Sequence, residues 1–118
     1  MPTTVSRIPL SGSTNGRGIK IAATATAGTL LHTGTSSATD CDVVTLYAHN
    51  SSASAVNLTI EYGGVSSPDD LIILSIPAST GLTLVVPDLV IRNSLVIRAF
   101  AGTTNVVMVH GFVNRVAS

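Results

Sequence analysis

The sequence has few ionisable side chains for a globular protein. Only 10% of its 118 residues are Asp, Glu, Lys or Arg, whereas soluble domains average about 25%. The six basic and six acidic residues cancel, so no net field would attract nucleic acid or an anionic membrane. We therefore expect neither a nucleic-acid partner nor a membrane partner.

Cysteine, aromatic residues and long apolar runs are also scarce. The single cysteine, Cys41, cannot form an internal disulfide. Aromatic residues make up 3% of the chain and Trp is absent, which disfavours sites that stack bases or sugars on aromatic rings. The longest apolar run, residues 82–91, contains Pro87 and Asp88 and is shorter than the ~18 residues of a membrane helix. The opening residues lack the pattern of a Sec signal peptide, so we expect none.

The low charge also predicts the state of association. A soluble monomer is normally covered by charged side chains and kept apart from its copies by net charge. This chain has one Lys and one Glu, a pI near 6.8 and a mean hydropathy of +0.51. One alternative is a monomer coated with Ser and Thr, as in some secreted proteins. We instead expect a homo-oligomer in which neighbouring subunits cover much of the surface.

Period-two alternation of apolar residues runs through most of the chain. In AVNLTIEYG, for example, Val56, Leu58 and Ile60 share one face of a strand, and Asn57 and Thr59 share the other. Turn signals recur roughly every 8–12 residues, which is typical of a β-sandwich or barrel. We predict an all-β, single-domain, jelly-roll-like sandwich of about eight short antiparallel strands, without a long helix. The segments are RGIKIAAT, GTLLHTG, DVVTLYAHN, AVNLTIEYG, DLIILSI, TGLTLVVP, SLVIRAF and NVVMVHGFVNRV.

The first 14 residues differ from the rest. They contain two prolines and three apolar residues, Val5, Ile8 and Leu10, which would be unfavourable in solvent. Such a segment either frays or docks on a sheet edge of its own or of a neighbouring subunit. We predict an N-terminal arm over residues 1–14, which docks, followed by a β-sandwich domain over residues 15–118.

The glycine-rich stretch STNGRGIK invites comparison with phosphate-binding loops. A Walker loop needs four residues between its glycines and then Lys-Ser or Lys-Thr, but here a single residue separates Gly16 from Gly18. A dinucleotide-binding loop is followed by a helix, whereas this stretch leads into a strand pattern. We interpret Asn15-Gly16 as a turn, with Ile19 entering the core, and predict no cofactor.

The remaining reactive side chains show no catalytic or metal-binding pattern. His32, His49 and His110 lie in separate strands without the local spacing of a zinc site. Cys41 stands between Asp40 and Asp42, and like charges disfavour a thiolate nucleophile. The serines lack a nucleophile-elbow motif. We therefore predict no catalytic residues, no metal site and no enzymatic activity.

Arginine is favoured at subunit contacts because its guanidinium pairs well with carboxylates. Three arginines lie near the C-terminal strands. Together with the arm they form the set that we expect at an interface: Val5, Arg7, Ile8, Leu10, Arg92, Arg98 and Arg115.

Residues 75–116, SIPASTGLTLVVPDLVIRNSLVIRAFAGTTNVVMVHGFVNRV, resemble small virion structural proteins of tailed bacteriophages. The shared features are the IPA-x-TG turn, a strand ending in Val-Pro, an L-x-IRA strand and a closing HGFVNR strand; residues 16–33 look like the matching first half. The resemblance implies a capsid decoration or cement protein, with its own copies and the major capsid protein or other virion proteins as partners. By family analogy it favours a trimer in the virion, assembled in the host cytoplasm.

The resemblance carries no catalytic or ligand residues over to this chain. Two alternatives remain open from the sequence. One is a structural or adaptor protein of the phage neck or tail. The other is a carbohydrate- or receptor-binding β-sandwich module, which would need an exposed aromatic or acidic loop site.

Overall fold

The predicted alternation of apolar and polar side chains produces strands throughout the chain. The computed structural model describes residues 3–118, and these residues form no helix. They contain nine β-strands, one more than the sequence predicted. The strands are β1 (Thr4–Pro9), β2 (Ile19–Lys20), β3 (Thr29–Thr33), β4 (Cys41–Asn50), β5 (Val56–Tyr62), β6 (Leu71–Ile76), β7 (Thr80–Ile91), β8 (Val96–Ala101) and β9 (Val107–Ala117).

The strands form two antiparallel sheets. Sheet A has the order β1-β9-β4-β7, and the short strand β2 also pairs with β9. Sheet B has the order β3-β8-β5-β6. From β2 onward every connection passes from one sheet to the other, except the one between β5 and β6. The prediction of an all-β fold with two antiparallel sheets in one domain is confirmed.

The core lies between the two sheets and consists almost entirely of aliphatic side chains. In β4 the predicted inward residues Val44, Leu46 and Ala48 are fully buried. Inward residues of β5 in the facing sheet and of β9, the neighbouring strand of sheet A, belong to the same core, including Leu58 and Val109. Each fully buried Val, Leu or Ile contributes about 1.5–3 kcal/mol relative to an exposed one. Burial of the alternating apolar residues therefore fixes which face of each strand points inward.

Strand β7 continues through two residues that the sequence marked as a turn. Val86 lies opposite Leu46 and Leu89 lies opposite Val44. Pro87 and Asp88 of β7 therefore both lie opposite Thr45 of β4. This is a β-bulge. Asp88 has a positive φ of 46°, and its carboxylate accepts a hydrogen bond from the Thr45 hydroxyl at 3.1 Å. The bulge lets the strand pass Pro87 without ending.

The segment predicted as an arm supplies a strand of the chain's own sheet. Met1 and Pro2 lie outside the described residues. From Thr4 to Pro9 the segment pairs antiparallel with the end of β9, which makes β1 an edge strand of sheet A. Leu10 follows directly and is 1% exposed in the core. Of the two docking alternatives drawn from the sequence, the described residues take the intramolecular one.

Candidate interaction surface

The two sheets end on the same side of the sandwich, in strands β6 and β7. Strand β6 is the last strand of sheet B and β7 is the last of sheet A; residues 77–79 connect them. Among the described residues each pairs with one neighbour only, β6 with β5 and β7 with β4. We call these two strands, Leu71–Ile76 and Thr80–Ile91, the β6–β7 edge.

The β6–β7 edge exposes much apolar surface. It carries five of the nine large hydrophobic side chains that are exposed among the described residues. Ile73 is 63% exposed and Leu82 is 59% exposed. The only ionisable residue in either strand is Asp88. The five exposed residues are Ile73, Leu82, Leu84, Leu89 and Val90.

Edge strands of soluble proteins usually carry features that block pairing with another chain, such as charges, prolines or bulges. In β7 the bulge at Pro87 and Asp88 is one such feature. Strand β6, with the sequence LIILSI, contains no charge and no proline, and its pairing with β5 has no register shift. Within the β6–β7 edge, β6 is therefore poorly protected against association, whereas β7 has one protective feature.

The opposite edge of sheet A also has exposed apolar surface. In β1, Val5 is 63% exposed. Two residues further along, the Arg7 guanidinium lies 4.4 Å from the centre of the Phe112 ring, and Arg7 Nε donates a hydrogen bond to Asn114 Oδ1 at 3.1 Å. The pairing register places Val5 and Arg7 on the same outward face. These two predicted interface residues are thus accessible to a neighbour.

The two other apolar residues of the predicted set face inward. Ile8 lies opposite Val113 and packs against the core. Leu10 is one of the fully buried core side chains. Both hold the N-terminal strand on its own domain, because removing them from the core would expose aliphatic surface to water.

The three C-terminal arginines do not converge on one site. Arg92 Nη1 donates to the Ala38 carbonyl at 3.2 Å, and Arg98 Nη1 donates to the Gly28 carbonyl at 3.5 Å. Arg115 instead forms two hydrogen bonds with one carboxylate of its own chain, that of Asp42. The first two arginines are held by backbone carbonyls, and only Arg115 pairs with an acid.

Asp42 is the centre of a buried polar network at one end of the sandwich. Its side chain is completely buried because residue 42 occupies an inward position of β4. Arg115 Nε donates to Oδ1 at 2.7 Å and Nη2 donates to Oδ2 at 2.9 Å. His32 Nε2 lies 2.8 Å from Oδ2, and the Thr35 amide donates to Oδ2 at 3.0 Å. The carboxylate is therefore held by four polar contacts.

The surroundings of His32 fix its tautomer. The Ser11 amide donates to Nδ1 at 3.0 Å, so Nδ1 carries the lone pair and Nε2 carries the proton that points to Asp42. Ser11, His32 and Asp42 thus follow one another as in a Ser-His-Asp triad. However, it is the Ser11 amide that contacts the imidazole, while the Ser11 hydroxyl accepts a hydrogen bond from the Thr33 amide at 2.7 Å. The arrangement gives the imidazole no hydroxyl to deprotonate.

Two pKa shifts follow from this network. Burial raises the pKa of Asp42, but hydrogen bonds from Arg115 and His32 and the positive charge of Arg115 outweigh it, so the pKa lies below its ordinary value. Burial raises the pKa of Tyr62, and the nearby negative charge of Asp42 adds to the effect. The Tyr62 hydroxyl donates to the Leu89 carbonyl at 2.9 Å and so connects sheet B to β7. Because the four contacts of Asp42 come from its own domain, the network serves the stability of the fold.

A second buried carboxylate holds the loop between β2 and β3. Glu61 is fully buried although it lies on the outward face of β5. Its oxygens accept hydrogen bonds from the Thr26 hydroxyl and from the Gly28 amide, each at 2.7 Å. The loop therefore covers this part of sheet B. Among the described residues every buried side-chain nitrogen and oxygen atom has a hydrogen-bond partner.

The three histidines occupy two places. His32 belongs to the Asp42 network, whereas the rings of His49 and His110 lie next to each other on the outer face of sheet A, with centres 5.3 Å apart. Within residues 3–118, no three His, Cys, Asp or Glu side chains are grouped closely enough to hold a metal ion.

Sequence reasoning missed the Asp42 network and the role of Glu61. A signal for Asp42 was present, since extending the alternation of Val44 and Leu46 back by two residues places Asp42 inward. A buried acid requires partners, and His32 and Arg115 come from strands that are distant in the sequence. No comparable signal marked Glu61, because the alternation of β5 assigns it to the outward face.

Comparison with models of protein families, with curated proteins and with solved structures found no match to this chain. Residues 3–118 also provide no helical segment with the length and hydrophobicity to span a membrane. The geometry of the surface and the sequence resemblance are therefore the basis for the functional argument.

Proposed function

We propose that this chain is a structural virion protein of a tailed bacteriophage, a capsid decoration or cement protein that stabilises the particle through subunit contacts. The observation that carries the proposal is the β6–β7 edge, which exposes five large hydrophobic side chains and contains one ionisable residue. Exposed apolar surface of this kind marks a site of protein association. Strand β7 and the last two residues of β6 fall within residues 75–116, which resemble phage structural proteins.

The strand order supports the finer assignment to the jelly-roll class. With β2 taken as the first strand, the sheets read β2-β9-β4-β7 and β3-β8-β5-β6. In this order the eight strands wind as two Greek keys across two sheets, as jelly rolls do. Viral capsid domains and lectins both use this architecture. For a lectin we would expect an exposed aromatic platform, and the chain has no Trp.

The positions of the edges favour a closed ring. Strands β1 and β7 lie at opposite edges of sheet A, and both expose apolar side chains, Val5 on one and Leu82 and Leu84 on the other. A cyclic oligomer needs two different surfaces that meet head to tail, whereas a twofold dimer uses one surface twice. We propose that the β7 edge of one copy packs against the β1 edge of the next in a trimer, which then sits on the major capsid protein.

Light scattering and sedimentation of the full chain test this arrangement. We expect the wild-type protein to have the mass of three chains. Leu82→Asp on β7 and Val5→Asp on β1 should each shift the mass toward one chain, because each places a charge in an apolar contact. Leu95→Asp is the control, since Leu95 is 49% exposed in the loop before β8.

The outcomes separate the possible assemblies. Loss of assembly in the β7 variant but not in the β1 variant would contradict the ring and would indicate a twofold dimer that uses only the β7 surface. A monomeric wild-type protein over the whole accessible concentration range would refute self-association. If that monomer also failed to bind capsid shells that lack it, the decoration function would be refuted.

A further inference from the structure

The loop between β1 and β2 borders an open cavity of about 270 Å³ on the surface. The hydroxyl-bearing residues Ser13 and Thr14 line one part of it, and Arg17 and Lys20 line another. Binding sites for drug-sized ligands have volumes of about 300–1,000 Å³. The cavity thus has room for one polar group of a ligand but is small for an extended cofactor.

Backbone hydrogen bonds hold this loop in place. The Ser13 amide donates to the Leu10 carbonyl at 3.0 Å, and the Arg17 amide donates to the Thr14 carbonyl at the same distance. Between Thr14 and Arg17 the predicted turn is present, with positive φ at Asn15 and at Gly16, a combination typical of a type I′ turn. A loop ordered in this way would lose little conformational entropy on binding a ligand.

Both ends of the loop are fixed by close contact with neighbouring strands. The Gly12 amide donates to the Leu31 carbonyl at 2.9 Å, and any side chain at Gly12 would overlap the backbone of β3. At the other end, a Cβ atom on Gly18 would lie 2.7 Å from the His110 ring. The two glycines therefore let the loop lie directly against strands β3 and β9.

The two cations of the cavity have no acidic partner in the part of the chain that the structure describes. Arg17 and Lys20 are exposed, and the ion pairs found within residues 3–118 all involve Asp42. The chain has six Lys and Arg residues in total. Two of them thus line one small cavity without a neutralising carboxylate, in a protein whose surface is otherwise poor in charge.

A pair of histidines next to the cavity raises the question of whether the site would bind a metal ion or an anion. The His49 and His110 rings lie side by side, and neutral imidazole is a common ligand of Zn²⁺, Cu²⁺ and Ni²⁺. His110 also contacts Gly18 of the cavity wall. Two unneutralised cations beside the pair repel a divalent metal ion but attract an anion. The electrostatics therefore favour an anion.

We propose that this cavity binds an oxyanion group, a carboxylate, phosphate or sulfate, carried by a small ligand. Arg17 and Lys20 supply the charge, and the Thr14 hydroxyl supplies a further hydrogen-bond donor, whereas the Ser13 hydroxyl already donates to the Leu10 carbonyl at 2.8 Å. Recognition differs from that of a Walker loop, in which backbone amides wrap the phosphates; here side chains provide the charge. The site does not depend on the proposed virion function, because it lies in the β1–β2 loop and not on the β6–β7 edge.

Titration followed by two-dimensional NMR tests the proposal with three probes: inorganic phosphate, sulfate and glucuronate. Chloride keeps the ionic strength constant. We expect saturable shifts of the amides of residues 12–20, with a dissociation constant on the order of 1 mM for at least one probe. Arg17→Gln and Lys20→Gln should each weaken binding about fivefold, the upper end of the effect of an exposed ion pair.

Arg92→Gln is the matched control, because Arg92 is another exposed arginine and donates only to a backbone carbonyl. Its affinity for the probes should equal that of the wild-type protein. Preference for glucuronate over phosphate and sulfate would assign the oxyanion to a carboxylate, and the reverse preference to a tetrahedral anion. Absence of saturation with all three probes, or unchanged affinity in the Arg17→Gln/Lys20→Gln double variant, would overturn the proposal.

Discussion

Replacing the buried acid Asp42 by asparagine should cost a large part of the stability of the fold. The carboxylate is completely buried and is contacted by His32, Thr35 and Arg115. Asparagine has nearly the same size, but it has one acceptor oxygen in place of two and carries no charge. Its amino group would face a guanidinium or imidazole donor. Breaking a fully buried ion pair by removing one partner costs about 3–5 kcal/mol. Because the Arg115 side chain is 39% exposed and stays partly hydrated, we expect a loss at the lower end of that range.

The expected loss is large relative to the total. At about 0.05–0.15 kcal/mol per residue, a chain of this size has a free energy of unfolding of about 6–18 kcal/mol. Urea unfolding followed by circular dichroism at neutral pH measures the difference between Asp42→Asn and the wild-type protein. Asp69→Asn, a substitution at an exposed loop residue, serves as the control and should change stability by less than about 0.5 kcal/mol.

Acid titration gives a second, independent readout. The native pKa of Asp42 lies below its ordinary value, so the group stabilises the fold fully above its unfolded pKa of about 3.9. That stabilisation is lost as the pH falls through the lower native pKa. The wild-type protein should therefore lose stability in this acid range more steeply than Asp42→Asn. An Asn variant within about 1 kcal/mol of wild type, with the same acid profile, would refute the role assigned to the network.

Two further substitutions test other parts of the fold. Glu61→Ala should destabilise by about 1–3 kcal/mol, because the Gly28 amide loses its buried acceptor. The substitution should also open residues 22–28 to proteolysis. Asn57→Ala, at an exposed residue of the same strand, is the control, and an unchanged cleavage rate in Glu61→Ala would contradict the role assigned to Glu61. Gly111→Ala should destabilise by a few kcal/mol, because the new Cβ would overlap a carbonyl of β4, whereas Gly81→Ala has open space around it. Equal unfolding midpoints for the two alanine variants would contradict this prediction, because they would show that β4 and β9 can move apart at Gly111 without a loss of stability.

Most of the strands could be predicted from local pattern because burial of one face imposes a period of two. The inward residues Val44, Leu46 and Ala48 are an example, since their alternation alone assigns them to the core. The bulge in β7 was not predictable, because Pro87-Asp88 is an equally good turn sequence. Only pairing with β4, where two residues oppose one, keeps the strand continuous. The length of β2 was overestimated for a related reason, since only Ile19 and Lys20 pair with β9 in the sheet, and Ile21 adds one amide hydrogen bond to the Val107 carbonyl.

The residues of the candidate interaction surface could also be predicted only in part. Low charge and the apolar residues of the first segment predicted association and pointed to Val5 and Arg7, which are outward in β1. The same reasoning could not separate them from Leu10, because an apolar residue stabilises the core and an interface by the same burial of surface. The pairing of β1 with β9 decides which of them face outward.

The all-β class of this fold, its strands and their inward faces could be read from the amino-acid sequence, because they depend on side-chain chemistry repeated along a short stretch of chain. The sequence also shows how little charge is available to keep copies apart. Three features became visible only in the folded chain: β6 and β7 form one exposed edge, Asp42 contacts His32 and Arg115, and Arg17 and Lys20 line one cavity. Such contacts join residues distant in the sequence, and they depend on the order and register of the strands, which local alternation does not specify.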